Sequence, residues 1–74
     1  MSMSHKTAGD LVRIAEAGGS LELEATKTPG DYVRIAEAIA LGGGHLTLSR
    51  ASQFTTGDML RIASVAPGKV TFKD

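Results

Sequence analysis

A stretch of eleven residues occurs three times in this chain with small changes, and that repetition restricts the folds open to it. The copies read TAGDLVRIAEA from residue 7, TPGDYVRIAEA from residue 28 and TTGDMLRIASV from residue 55. Each copy is followed by a glycine-containing turn and a short alternating segment, LELE, LTLS or VTFK. Units of this kind bury their apolar side against neighbouring units. We therefore expect a single domain over residues 7–74, preceded by a flexible tail over residues 1–6.

The repeated stretch predicts a helix in each copy. It opens with a threonine three residues before an aspartate, the spacing of a capping box, and apolar residues then recur at helical intervals. The threonines are favoured as the N-caps, and the aspartates are the alternative. These pairs are Thr7 and Asp10, Thr28 and Asp31, and Thr55 and Asp58. Glycine or proline follows each helix and stops it.

The apolar stripe of each helix predicts which side chains meet the sheet. Ile14, Ile35 and Ile62 occupy the same position in the three copies, so we expect them to be equivalent core residues. Tyr32 has the same phase but carries a polar group. We expect it to lie at the rim of the core with its hydroxyl in water.

The alternating segments predict strands with one apolar and one polar side. Leu21, Leu46 and Val70 begin the apolar sides, at intervals of 25 and 24 residues. That interval accommodates a strand, a return helix and two turns, so the strands should be parallel. Right-handed crossovers to adjacent strands put every helix on the same side of the sheet. The predicted fold class is α/β: a two-layer αβαβαβ repeat with a three-stranded parallel sheet in order 1-2-3 and three helices on one face.

Composition argues against several classes of function. Eight basic and eight acidic residues give a formal net charge of zero, so no overall field attracts nucleic acid or an anionic membrane. The chain has no cysteine, which removes disulfides and thiolate ligands, and we expect no cofactor. The opening MSMSHK lacks the apolar core of a signal peptide, and no apolar stretch is long enough to cross a bilayer. We expect a cytoplasmic protein that does not associate with membranes.

The strand motifs LEL, LTL and VTF, which recur with a helix between them, resemble the short Leu-x-Leu strand of leucine-rich repeats. That resemblance implies parallel strands lining an open surface used for binding other proteins. The GDLVRIAEA stretch is also similar to small uncharacterised bacterial proteins built from α/β repeats. This second resemblance implies a fold but no activity. Protein is therefore the favoured kind of partner.

The polar side of the sheet is the first candidate for a binding site. Aligning the strands puts its residues in rows, and no row combines the groups needed for acid–base or nucleophilic catalysis. We therefore predict a non-catalytic interaction or structural module, not an enzyme. His5 and His45 are predicted to be solvated and not to bind metal. The candidate partner-binding residues are Glu22, Glu24, His45, Thr47, Ser49, Lys69, Thr71 and Lys73.

The second candidate is a row of arginines on the helices. Arg13, Arg34 and Arg61 each stand three residues after an aspartate, so stacked helices present them in line. Such a row could bind nucleic acid or a small anion. Each arginine can also pair with the aspartate three residues before it. A solvated face of ion pairs is therefore favoured, and nucleic acid is the less favoured partner.

The two edge strands carry charges of opposite sign. The first strand contains Glu22 and Glu24, and Lys69 and Lys73 flank the third. One interpretation is that these charges discourage pairing with other chains and keep the protein monomeric. The other is that the third strand of one copy docks beside the first strand of the next, which would give a weak homo-oligomer through edge strands.

Overall fold

Helices and strands alternate along the chain in the order that the sequence predicts. The structure, a computed structural model, describes residues 6–74. In that range the helices are α1 (Ala8–Glu16), α2 (Pro29–Gly42) and α3 (Thr56–Ser64), and the strands are β1 (Leu21–Glu24), β2 (Leu46–Ser49) and β3 (Val70–Phe72). A short 3₁₀ helix that the repeat pattern does not predict, Ala51–Gln53, joins β2 to α3. All but the last residue of the predicted tail, residues 1–5, lies outside the described range.

The helices begin where the threonine caps predict. In each copy the threonine hydroxyl accepts a hydrogen bond from the amide of the aspartate three residues later, at 3.2 Å in α1, 3.4 Å in α2 and 3.1 Å in α3. The bond satisfies an amide that has no partner within the helix. Threonine is thus confirmed as the N-cap, and the aspartates lie in the first turn, where the helix dipole favours negative charge.

The strands form one parallel sheet in the order β1-β2-β3. Leu21 is aligned with Leu46, and Leu46 with Val70, which is the alignment that the apolar pattern predicts. Because side chains alternate along a strand, this register sends every strand leucine to the helix side and the residues between them to the other side. The predicted α/β fold with order 1-2-3 is confirmed.

The core lies between the sheet and the helix layer. Ile35 and Ile62 are fully buried, as predicted, but Ile14 is only half-buried. The expectation that the three isoleucines are equivalent is therefore wrong for Ile14. Ile14 packs against the rim of the core, and an outer position in the helix layer does not by itself explain this, since Ile62 in the other outer helix is fully buried. Leu11 and Ala15 are the buried residues of α1.

Close packing between α1 and α2 depends on a glycine. A Cβ atom added at Gly42 would overlap the carbonyl oxygen of Ala15 at the end of α1. The next residue, Gly43, adopts the left-handed conformation with φ of 86° and caps α2 by donating its amide to the carbonyl of Ile39. Gly42 and Gly43 therefore have different roles: Gly42 leaves room for the backbone of α1, and Gly43 ends α2.

Truncation of the central helix should test the common core. Ile35 is fully buried in the middle helix, so we expect Ile35→Ala to lower the free energy of unfolding by about 2–5 kcal/mol through lost burial and a residual cavity. Urea denaturation measures this difference. Arg34→Ala, on the exposed side of the same turn, is the matched control and should change stability by less than about 0.5 kcal/mol. Equal effects of the two substitutions would contradict the packing described here.

Candidate functional site

The face of the sheet opposite the helices is polar and carries all the candidate residues of the strands. We call it the polar sheet surface; it comprises Glu22, Glu24, His45, Thr47, Ser49, Lys69, Thr71 and Lys73. Their side chains are half-buried or exposed, in contrast to the strand leucines, which are buried against the helices. The sequence therefore predicted correctly which residues share this face.

Charged side chains on the polar sheet surface pair within the molecule. Nζ of Lys73 lies 2.9 Å from Oε2 of Glu22, although the two residues belong to opposite edges of the sheet. The extended lysine side chain spans β2, since strands are about 4.8 Å apart. At the C-terminal end of β1, Nη1 of Arg50 lies 4.0 Å from Oε2 of Glu24. Two of the charges on which the edge-docking interpretation depends, Glu22 and Lys73, are thus paired with each other within one molecule and neutralise each other.

The pairing alters the acidity of Glu22. A hydrogen bond from Lys73, together with the positive charge of that lysine, holds the pKa of the Glu22 carboxyl below its usual value. Both effects favour the ionised carboxylate. A general acid needs the opposite shift, so the geometry leaves Glu22 unsuited to that role.

The imidazole of His45 contacts its neighbour strand. Nε2 of His45 lies 2.8 Å from Oγ1 of Thr71, and the backbone amide of His45 donates to Oγ of Ser20 at 3.1 Å. The prediction that His45 is merely solvated is wrong, because parallel pairing brings Thr71 within reach of its ring. His5 lies outside the described residues. Among residues 6–74, no group of three or more histidines, aspartates or glutamates is placed to hold a metal ion.

The arginine row lies on the helix layer, away from the polar sheet surface. Arg34 pairs with Asp31 at 3.9 Å and Arg61 pairs with Asp58 at 4.0 Å, which confirms two of the predicted ion pairs. The guanidinium groups remain largely exposed, with 59% and 63% of their side-chain surface in water. Arg13 lines an open groove beside α1 and forms no ion pair with Asp10 within residues 6–74.

The C-terminal end of the outer edge of β1 is covered by a buried tyrosine. Tyr32 is only 1% exposed, and its hydroxyl donates to the carbonyl of Glu24 at 2.6 Å. The same oxygen accepts the amides of Thr26 and Lys27 at 3.0 and 3.1 Å. The expectation of a hydroxyl in water is wrong, because the loop after β1 turns back over the ring. Phe54 packs edge-on against that ring, with centroids 5.5 Å apart.

A sequence signal for this contact exists. The position of Tyr32 is occupied by Leu11 and Met59 in the other copies, so only the middle copy introduces a hydroxyl there. Apolar residues suffice at the equivalent positions for core packing. The departure from the repeat therefore indicates that the hydroxyl of Tyr32 forms a hydrogen bond, although the pattern does not reveal which backbone groups it contacts.

The outer edge of β3 has no such closure. Leu46 donates its amide to the carbonyl of Lys69, and Lys73 donates to that of Leu48, both at 2.8 Å. Peptide groups alternate in direction along a strand, so those of Val70 and Phe72 point away from β2. The side chain of Phe72 is half-buried and lines a shallow groove with Met59, of about 290 Å³.

The chain matches no protein-family model, and comparison with curated proteins and with solved structures finds no significant match to either. None of the helices within residues 6–74 has the length and apolar character needed to span a membrane. Any functional conclusion therefore follows from the polar sheet surface, its two edges and the arginine row.

Removing one hydroxyl should loosen the closed edge. Tyr32→Phe keeps the ring but removes the hydroxyl that bonds to the Glu24 carbonyl and to the amides of Thr26 and Lys27, so we expect a loss of about 1–3 kcal/mol in unfolding free energy. Hydrogen exchange of the Thr26 and Lys27 amides should accelerate. The Ala25 amide, which donates to the Ser49 carbonyl at 2.9 Å, is the internal control and should stay protected. Uniform acceleration of all three would indicate global destabilisation and no local closure.

The ion pair across the sheet predicts a titration. In Lys73→Gln the pKa of Glu22 should rise towards the ordinary glutamate value, because its hydrogen bond and neighbouring charge are gone. A lowered folded-state pKa stabilises the protein above the ordinary glutamate pKa, and this contribution disappears as the pH falls through the lowered value. NMR titration of the Glu22 carboxyl carbon measures the shift. Lys69→Gln is the matched control, and an equal effect from it would show that general charge, not the pair, is responsible.

Proposed function

We propose that this chain is a small non-catalytic module that binds another protein through its open sheet. The observation that carries the proposal is the uncovered face: helices cover one side of the sheet, and the polar sheet surface has no layer over it within residues 6–74. The strands have three or four residues each and lie about 4.8 Å apart, so the polar sheet surface is a small patch that suits a weak or transient interface.

The state of the side chains supports binding in preference to chemistry. Glu22 is exposed and held ionised beside Lys73, and the imidazole of His45 is engaged by Thr71. These contacts fix side-chain positions before a partner arrives, which lowers the conformational entropy lost on association. They also balance charge locally, so the surface favours a partner with matching hydrogen-bonding groups over one recognised by charge alone.

The alternative function is binding of nucleic acid or another anion along the arginine row. Its support is the alignment and exposure of Arg34 and Arg61 on neighbouring helices. A phosphate would have to displace Asp31 and Asp58 from these arginines and would also meet the repulsion of the two carboxylates. We therefore rank anion binding second to binding of a protein.

The two functions separate in one experiment. The tagged chain is used to isolate a partner from cells of the organism that encodes it, and the affinity of the purified partner is then measured. Thr47→Arg, in the centre of the polar sheet surface, should weaken binding at least about tenfold by steric and charge mismatch. Arg34→Ala, on the helix layer, is the control and should leave it unchanged.

The opposite result of these binding measurements would favour the alternative function. If simultaneous substitution of Arg13, Arg34 and Arg61 by alanine abolishes binding, while Thr47→Arg does not, the arginine row is the site. Binding to a nucleic acid should then also weaken steeply as salt increases, because phosphate contacts release counterions.

A further inference from the structure

The two edges of the sheet differ in their free hydrogen-bonding groups. At β1 the outward-facing carbonyl of Glu24 is occupied by the hydroxyl of Tyr32 and by the amide of Thr26, at 2.6 and 2.8 Å. At β3 the outward-facing groups of Val70 and Phe72 take part in no hydrogen bond with another described residue. An exposed edge with unpaired amides and carbonyls is a template for another strand. An added strand would therefore find the outward-facing groups of both residues available at β3, whereas at β1 the acceptor nearest the C-terminal end is already occupied.

The side chains along β3 define what an added strand should carry. On the helix side, half-buried Phe72 borders the groove with Met59, which suits an apolar side chain. On the polar side, Lys69 and Lys73 flank Thr71, and Lys69 forms no ion pair within residues 6–74. Asp74 also lines the groove, so the preference for an acidic partner is clearest beside Lys69, which does not line it. Acidic residues on one side and apolar residues on the other would match this edge.

We propose that the outer edge of β3 binds an extended segment of another protein in which apolar and acidic residues alternate, so that the segment becomes a fourth strand. This inference rests on the proposed function and specifies its partner. The fold already accommodates such a strand, because β1 reads LELE and lies parallel to β2. Moreover, Glu22 of β1 pairs with Lys73. Backbone hydrogen bonds would supply affinity, and the alternating side chains would supply selectivity.

A second copy of the chain fits this edge less well. Its β1 edge is closed at Glu24 by Tyr32, so joining β3 of one molecule to β1 of the next loses an acceptor. Two copies could instead pair antiparallel through β3 about a two-fold axis at Thr71. That arrangement places Lys69 of one copy opposite Lys73 of the other, so Lys69 gains no acidic partner. The charge pattern therefore favours an acidic segment from a different protein.

A synthetic peptide with the sequence of residues 19–26, GSLELEAT, is the probe. Titrated into the ¹⁵N-labelled full chain, it should shift the amide resonances of Val70 and Phe72 first. The matched peptide GSLKLKAT, in which lysine replaces both glutamates, should bind about tenfold more weakly because it places lysine beside the positive charge of Lys69. Shifts confined to Thr47 or to the arginine row would overturn the proposal.

Amide methylation tests whether the peptide is bound as a strand. One peptide carries N-methyl groups on both leucines, and the other carries them on both glutamates. Only alternate residues of a strand face the neighbouring edge, so one of these peptides should lose binding and the other should retain it. Equal affinities of the two peptides would show that the peptide does not extend the sheet.

Variants of the protein test whether the peptide binds at the outer edge of β3. Val70→Pro removes an outward-facing amide but no hydrogen bond between β2 and β3. It should weaken binding of the peptide GSLELEAT about tenfold. If that variant does not fold, Lys69→Glu serves instead, and it should reverse the preference so that GSLKLKAT binds more tightly. Unchanged preference in Lys69→Glu would overturn the proposal.

The same variants distinguish this inference from the proposed function. A natural partner that is lost in Thr47→Arg but retained in Val70→Pro binds the face of the sheet. That result preserves the proposed function and overturns the edge inference. A partner insensitive to both variants contradicts the two together.

Discussion

The register of the three parallel strands is the constraint on which the rest of the structure depends. Leu21, Leu46 and Val70 are aligned, so the leucines of β1 and β2 all face the helix layer. A shift of one residue in either pairing would turn one strand over, burying its polar side and exposing its apolar side. The core, the polar sheet surface and the positions of both lysines beside β3 follow from this one alignment. The buried leucines and Ile35 stabilise it, because any slip would expose them.

The two outer edges of the sheet, at β1 and at β3, differ in how their backbone groups are satisfied. At β1, Tyr32 supplies the hydrogen bond that a preceding strand would otherwise provide to the Glu24 carbonyl. At β3, Val70 and Phe72 remain half-buried, and α3 has Ile62 as its fully buried residue. Stacked repeats need ends that differ from the interior, since each unit relies on its neighbours to cover it. In this molecule the first edge has such an end, and the third edge offers backbone groups and apolar surface.

Charge acts locally in this protein. The formal net charge is zero, yet the structure contains ion pairs that are set by the fold: Arg34 with Asp31, and Lys73 with Glu22. Exposed pairs contribute about 0–1 kcal/mol each, so their main effect is on side-chain position and not on stability. The pair across β2 holds Glu22 and Lys73 over the sheet, which makes the polar surface nearly neutral and orders it. Lys69 retains its charge next to the open edge.

Local pattern in the sequence was enough to predict the helices, their threonine caps, the strands, the register and the face on which each candidate residue lies. The physical reason is that these features depend on residues a few positions apart and on periods of two or 3.6 residues. The repeat then made strand order predictable, because each copy had the length to return beside its neighbour.

Tertiary structure alone decided which side chains meet. The hydroxyl of Tyr32 reaches Glu24 because the loop after β1 folds back over the ring. Lys73 reaches Glu22 because two strand pairings bring residues that are far apart in the sequence together. Ile14 is less buried than Ile35 and Ile62, although all three belong to the same repeated motif. Such contacts depend on loop paths, on side-chain length and on position in the sheet and helix layers, which a local pattern does not encode. The sequence by itself determined the helices and strands and the face on which each residue lies. The assembled layers determined which side chains contact each other.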